Sequence, residues 1–89
     1  MTVDLHLDEN DPLFNPSYAL SDQLKELDWA LNQALIQNCY DLRVIHGIGD
    51  GVLKNAVHQH LQKQDFVLSY KNEWHPKYGM GSTLIIFKL

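Results

Sequence analysis

The spacing of hydrophobic residues changes period several times along the chain. In TVDLH (residues 2–6), Val3 and Leu5 alternate with Asp4 and His6, the period of two that predicts a short strand. LDENDPLFNP follows, rich in acids, asparagine and proline, and predicts a ten-residue loop. From Tyr18 to Asn38 the period lengthens. Leu20, Leu24, Leu27, Leu31, Ala34 and Leu35 recur every three or four residues, a helical stripe with Ser17 as N-cap and Asn38 as a left-handed terminator. Trp29 falls off the stripe and is expected to pack at its edge. LRVIH (42–46) predicts a second strand, GIGDG a turn, and VLKNAVHQHLQKQ (52–64) a second helix with Leu53, Val57 and Leu61 inward. FVLSY (66–70) and STLIIFKL (82–89) predict strands three and four, joined by a loop holding Trp74, Pro76, Tyr78, Gly79 and Gly81.

The order β-α-β-α-β-β predicts an α/β two-layer sandwich. Two right-handed crossovers imply parallel pairing among the first three strands and place both helices on one face of a four-stranded mixed sheet. The opposite face is left open to solvent or a partner. Residues 1–89 are expected to form a single domain without internal repeats.

Composition narrows the classes. Hydrophobic residues make up 45% and charged residues 20%, ordinary for a globular protein. No apolar run is long enough to span a bilayer, so no membrane association is expected, and the single Cys39 suits a reducing cytoplasm. The net charge is −4, which argues against a strongly basic nucleic-acid binder. The charge is uneven, however. Residues 1–50 hold nine acids against two bases, or −7, and residues 51–89 hold two acids against five lysines, or +3.

Candidate chemistry gathers where strands one and two end. His6 and His46 close those strands, and Asp4 lies on the same face as His6, two residues back. Gly47, Gly49 and Gly51 let the backbone adopt positive φ and approach an anion at the start of the second helix, with Lys54 one turn further on. Asp50 opposes an anion there. A divalent-metal reading would gather Asp4, His6, Asp8 and His46, a set that matches no closed zinc pattern. His58 and His60, two apart on a helix, do not share a face, and His58 is expected to be exposed. No Walker loop or nucleophile elbow is present.

VDLH on the first strand, VIHGIGDG after the second and the GMGSTLIIFKL ending together resemble the Smr (small MutS-related) domain family. The resemblance covers the whole chain. It implies a fold like the C-terminal domain of translation initiation factor three, DNA or RNA as partner, and DNA or RNA endonuclease (nicking) activity as in several members, in the setting of DNA repair or recombination. Asp4 and His6 match the first signature; His46, Gly47 and Gly49 match the second, extended by Gly51. The resemblance thus implies Asp4, His6 and His46 as catalytic residues, and the three glycines with Lys54 as nucleic-acid-binding residues. The cofactor stays unknown, with Mg²⁺ or Mn²⁺ as candidates. Smr domains also end longer proteins, which implies a parent chain or protein partner.

Two departures weaken the phosphate site. Leu7 and an acidic insertion follow His6 where the family usually continues with Gly. Ile48 stands where a Lys is common. These departures keep a second reading open, a non-catalytic protein or nucleic-acid interaction module using the open sheet face and the aromatic loop with Trp74, Tyr70 and Tyr78.

Overall fold

The computed structural model describes residues 1–6, 16–49 and 51–88, without the side chains of 16–18. The insertion with Asp8, Glu9 and Asp11, the Ser17 cap and Asp50 therefore lie outside the described residues and side chains. The elements are β1 (Thr2–Asp4), α1 (Pro16–Ile36), β2 (Asp41–Ile45), α2 (Val52–Gln62), β3 (Val67–His75) and β4 (Gly79–Phe87), in the expected β-α-β-α-β-β order.

Helix α1 buries Leu27, Ala30, Leu31 and Ala34, with Leu24 and Leu35 partly covered. Its end is set by Asn38 at φ 57, which turns the chain so that Cys39 N–H donates to Ala34 O and Asn38 N–H to Leu35 O. That pair of bonds satisfies carbonyls the last turn would otherwise leave open. Helix α2 turns Val57 and Leu61 inward. Both helices cover one sheet face, where Val3, Leu42, Val44, Ile85 and Phe87 complete a shared core. Trp29 does not pack there; it is 58% exposed.

The strand order is β1-β2-β4-β3. β1 and β2 pair in parallel, with Asp4 opposite Ile45. The expected parallel pairing does not extend to β3, because β4 lies between β2 and β3 and runs antiparallel to both. The connection between β3 and β4 explains this. The expected loop is in large part strand, and only residues 76–78 link two nine-residue strands. A link that short can only form a hairpin. The returning strand then takes up the hydrogen-bonding edge of β2, and β3 is left at the rim.

On the open face, Arg43 reaches past β4 to form an ion pair with Glu73 at 2.7 Å. Tyr70 is not on that face. It lies opposite Ile85 on the helix-covered side and accepts a hydrogen bond from Gln62.

Candidate nucleic-acid site

The parallel pairing of β1 and β2 brings the ends of both strands to one edge. A Cβ built on Gly47 would stand 3.5 Å from that of His6, so the first signature meets the second directly. The two imidazoles nevertheless part company. Asp4 and His6 stay on the exposed side, whereas His46 turns under the helices.

Asp4 Oδ1 accepts from the backbone N–H of His6 at 3.0 Å and lies 2.8 Å from His6 Nδ1. With Nδ1–H donating to the carboxylate, the neutral ring presents its lone pair at Nε2, the arrangement of a positioned proton acceptor. Partial burial pushes the Asp4 carboxyl up, but hydrogen bonds from His6 and then Tyr78 outweigh it and hold the group below its ordinary 3.8. The Tyr78 hydroxyl donates to Asp4 Oδ2 at 3.3 Å, and its ring stands 5.2 Å from that of His6. The tip of the β3–β4 hairpin therefore belongs to the site.

His46 is 6% exposed. Its Nδ1 lies 2.9 Å from the carbonyl of Gly47, which can only accept, so Nδ1 carries the proton. Its Nε2 lies 2.9 Å from Thr83 Oγ1, and His58 Nε2 lies 2.8 Å from the same oxygen. In the neutral network His58 donates to Thr83, Thr83 donates to His46, and His46 donates to Gly47. One added proton costs no bond when it enters at His58 Nδ1, which leaves this order of donors unchanged. A second would leave two N–H groups facing one oxygen and the hydroxyl proton without an acceptor. Burial, followed by the charge of Lys54, holds His46 below its ordinary 6.5 despite the favourable Gly47 bond. His58 is lowered by burial, then by His46 and Lys54. Contrary to expectation, His58 is half-buried, because Thr83 and the ring of Tyr70 at 4.9 Å draw it inward.

The glycine turn has the backbone expected of it, with Gly47, Gly49 and Gly51 all at positive φ. The N–H groups of His46 and Gly47 both donate to Gly81 O at 3.0 Å, which ties the turn to β4 and removes the Gly47 N–H from ligand binding. The N–H groups of Ile48 and Gly49 take no partner among the described residues. A Cβ on Gly81 would meet Tyr78 O at 2.8 Å and Gly47 C at 2.9 Å, so glycine there is what lets the strand pass the turn. Lys54 is half-buried near His46 and His58, on the helix side and away from Asp4.

Among the described residues, no group of three or more His, Cys, Asp and Glu side chains could hold a metal ion. Asp4 and His6 are not joined by His46, whose ring nitrogens face Gly47 and Thr83, and Asp8 lies outside the described residues. No helix among the described residues is long and apolar enough to cross a membrane.

Sequence reasoning assigned no site role to Thr83 or His58. The available signal was a threonine among the apolar inward positions of the last strand.

The fold and edge define a two-layer α/β domain whose first two strands end in an Asp–His pair and a glycine turn. The Smr domain family matches residues 18–88, and the chain belongs to that family. It is 38% identical over 65 residues to Endonuclease MutS2 of Streptococcus gordonii and 37% identical to that of Streptococcus sanguinis. Each match covers 73% of this chain but 8% of the relative, so the chain spans a small part of those proteins. The crystal structure of the Smr domain of Thermus thermophilus MutS2 superposes with a TM-score of 0.77 at 28% identity, covering 99% of this chain and 98% of that one. YdaL, a stand-alone small MutS-related protein from Escherichia coli, shares the fold at a TM-score of 0.69 and 18% identity, covering 99% of this chain and 64% of YdaL.

Proposed function

We propose that this Smr domain binds nucleic acid at the edge formed by the ends of β1 and β2, and that Asp4 and His6 serve phosphodiester cleavage there. The observation that carries the reading is the Asp4–His6 pair, 2.8 Å apart, beside the positive-φ turn at Gly47. Water attacks phosphorus as His6 Nε2 takes its proton, and the P–O bond to one sugar breaks. The departing sugar oxygen leaves as an alcohol with a proton from solvent, while Asp4 fixes the His6 ring and stabilises the imidazolium that forms. The backbone N–H groups of Ile48 and Gly49, which take no partner among the described residues, are the turn's donors for the phosphate oxygens. The endonuclease name of the streptococcal relatives supports this direction. His46 contributes by holding the Gly47 carbonyl, and so the turn, in place. Lys54 acts at the margin as a long-range charge.

Cleavage of branched DNA and structured RNA, with and without Mg²⁺ or Mn²⁺, tests the assignment. His6→Ala and Asp4→Asn should abolish activity while the protein stays folded. Full activity in both variants would sink it.

A non-catalytic interaction module is the second reading. It is favoured by Ile48, 67% exposed at the crest of the turn where a cation would grip phosphate. Binding without turnover under every metal condition would select it.

A further inference from the structure

We propose that the tip of the β3–β4 hairpin is a stacking surface for unpaired nucleobases, so that this chain takes single-stranded nucleic acid by its bases more than by its phosphates. This rests on the nucleic-acid reading above and specifies the form of ligand.

Three rings cluster at the tip. Tyr78 lies 5.2 Å from the ring of His6 and 5.3 Å from that of His75. Lys77 Nζ sits 5.3 Å from the Tyr78 centroid, and the Tyr78 hydroxyl is anchored to Asp4. Trp74, the residue before His75 on the same hairpin, is 62% exposed. Ile48 joins the tip to the glycine turn, its Cδ1 lying 3.4 Å from the Cβ position of Gly79. Through Tyr78 the tip reaches the proposed cleavage site, and its side chains are aromatic or apolar apart from Lys77.

That composition selects among the faces a nucleic acid can offer. Phosphates call for several fixed cations, and here the chain carries −4 overall, with the Asp4 carboxylate inside the cluster. Base faces call for exposed rings and tolerate a neutral or acidic setting, because every base has a π-face. In a duplex those faces are stacked on each other and closed to a hairpin tip. Unpaired bases in a single strand, loop or junction are open to it. Lys77 then supplies the one backbone contact next to the stacked base.

Trp29→Phe leaves Trp74 as the sole tryptophan, and its emission reports the tip directly. In that background an unpaired oligothymidylate and a blunt duplex of equal length are titrated over a series of salt concentrations. The expected result is quenching of Trp74 by the single strand, with tighter binding than to the duplex. The salt dependence should be shallow, with a log–log slope of about −0.7 to −1.4 for one or two phosphate contacts. In the full native background, Trp74→Leu should weaken single-strand binding about tenfold while Trp74→Phe keeps most of it. Equal loss in both, no loss in either, preference for duplex, or a slope beyond about −3 would overturn base stacking. Absence of binding to any oligonucleotide at low salt would overturn the nucleic-acid reading itself. Exclusive binding of a protein partner at this tip would do the same.

Discussion

His6 and His46 follow the ends of neighbouring parallel strands, yet His6 sets its ring against Tyr78 at the exposed tip and His46 buries its ring against Thr83. A parallel pair aligns strand ends, but successive residues point to opposite faces, and His6 sits opposite the residue after His46. The two signature histidines therefore do different work.

That difference is measurable by substitution. His46→Ala removes the partner of a buried hydroxyl and leaves the Gly47 carbonyl without its donor, and should cost about 1–3 kcal/mol. His6→Ala, at an exposed position, should stay within about 0.5 kcal/mol. Urea denaturation of both variants reads the contrast, and equal losses would refute the division of roles.

Thr83 is the shared hinge of the buried network. Thr83→Val keeps the shape and removes the hydroxyl, leaving both Nε2 atoms unsatisfied at a cost of about 1–3 kcal/mol. Thr83→Ser should retain most of the stability. Long-range nitrogen–proton NMR of the wild type should find His46 in the Nδ1–H tautomer; an Nε2–H tautomer would contradict the order of donors described above.

Acid should act on the same network. His46 and His58 are both held below 6.5, so between the folded and unfolded values the unfolded chain binds more protons. Stability is then complete above that value and falls as pH drops through it. Asp4, held below 3.8, adds a further loss in stronger acid. Urea midpoints from about pH 7.5 to pH 5 should fall, and His58→Gln, which keeps a donor for Thr83, should flatten the decline. A midpoint that rises on acidification would contradict the sign.

Gly81 is held by contact rather than by φ. Gly81→Ala places a methyl against the backbone of Tyr78 and Gly47, neither of which can yield as a flexible side chain would. A loss of about 1–3 kcal/mol is expected, with displaced amide resonances at both Gly47 and Tyr78. An unperturbed stability curve would show that the strand has room there.

Ile48→Lys should restore phosphate affinity. The position is exposed, so stability should change by no more than about 0.5 kcal/mol. Duplex binding should tighten, and its log–log salt slope should steepen by about 0.9 for one added contact. An unchanged slope would place the phosphate elsewhere on the surface.

Much of this molecule was legible in the linear pattern. The α1 stripe, the left-handed Asn38, the inward face of α2 and the glycine turn are local properties, written in spacings of three and four or in residues that tolerate positive φ. The Asp4–His6 pair was legible too, since residues two apart on a strand share a face. The extent of the hairpin was not. KNEWH and GMG carry little alternation, and they are strand because each pairs with the other across a three-residue turn.

By itself, the sequence determined the order of elements, the helical and strand faces, and the two motifs at the strand ends. Those follow from chain-local sterics and burial. Only the tertiary structure decided that β4 lies between β2 and β3, that His46 and His58 share one threonine hydroxyl, and that Tyr78 completes the Asp4–His6 site. These relationships join residues between 25 and 74 positions apart. The β3–β4 hairpin and the packing of α2 over the sheet set them, and no local periodicity records which side chains these bring together.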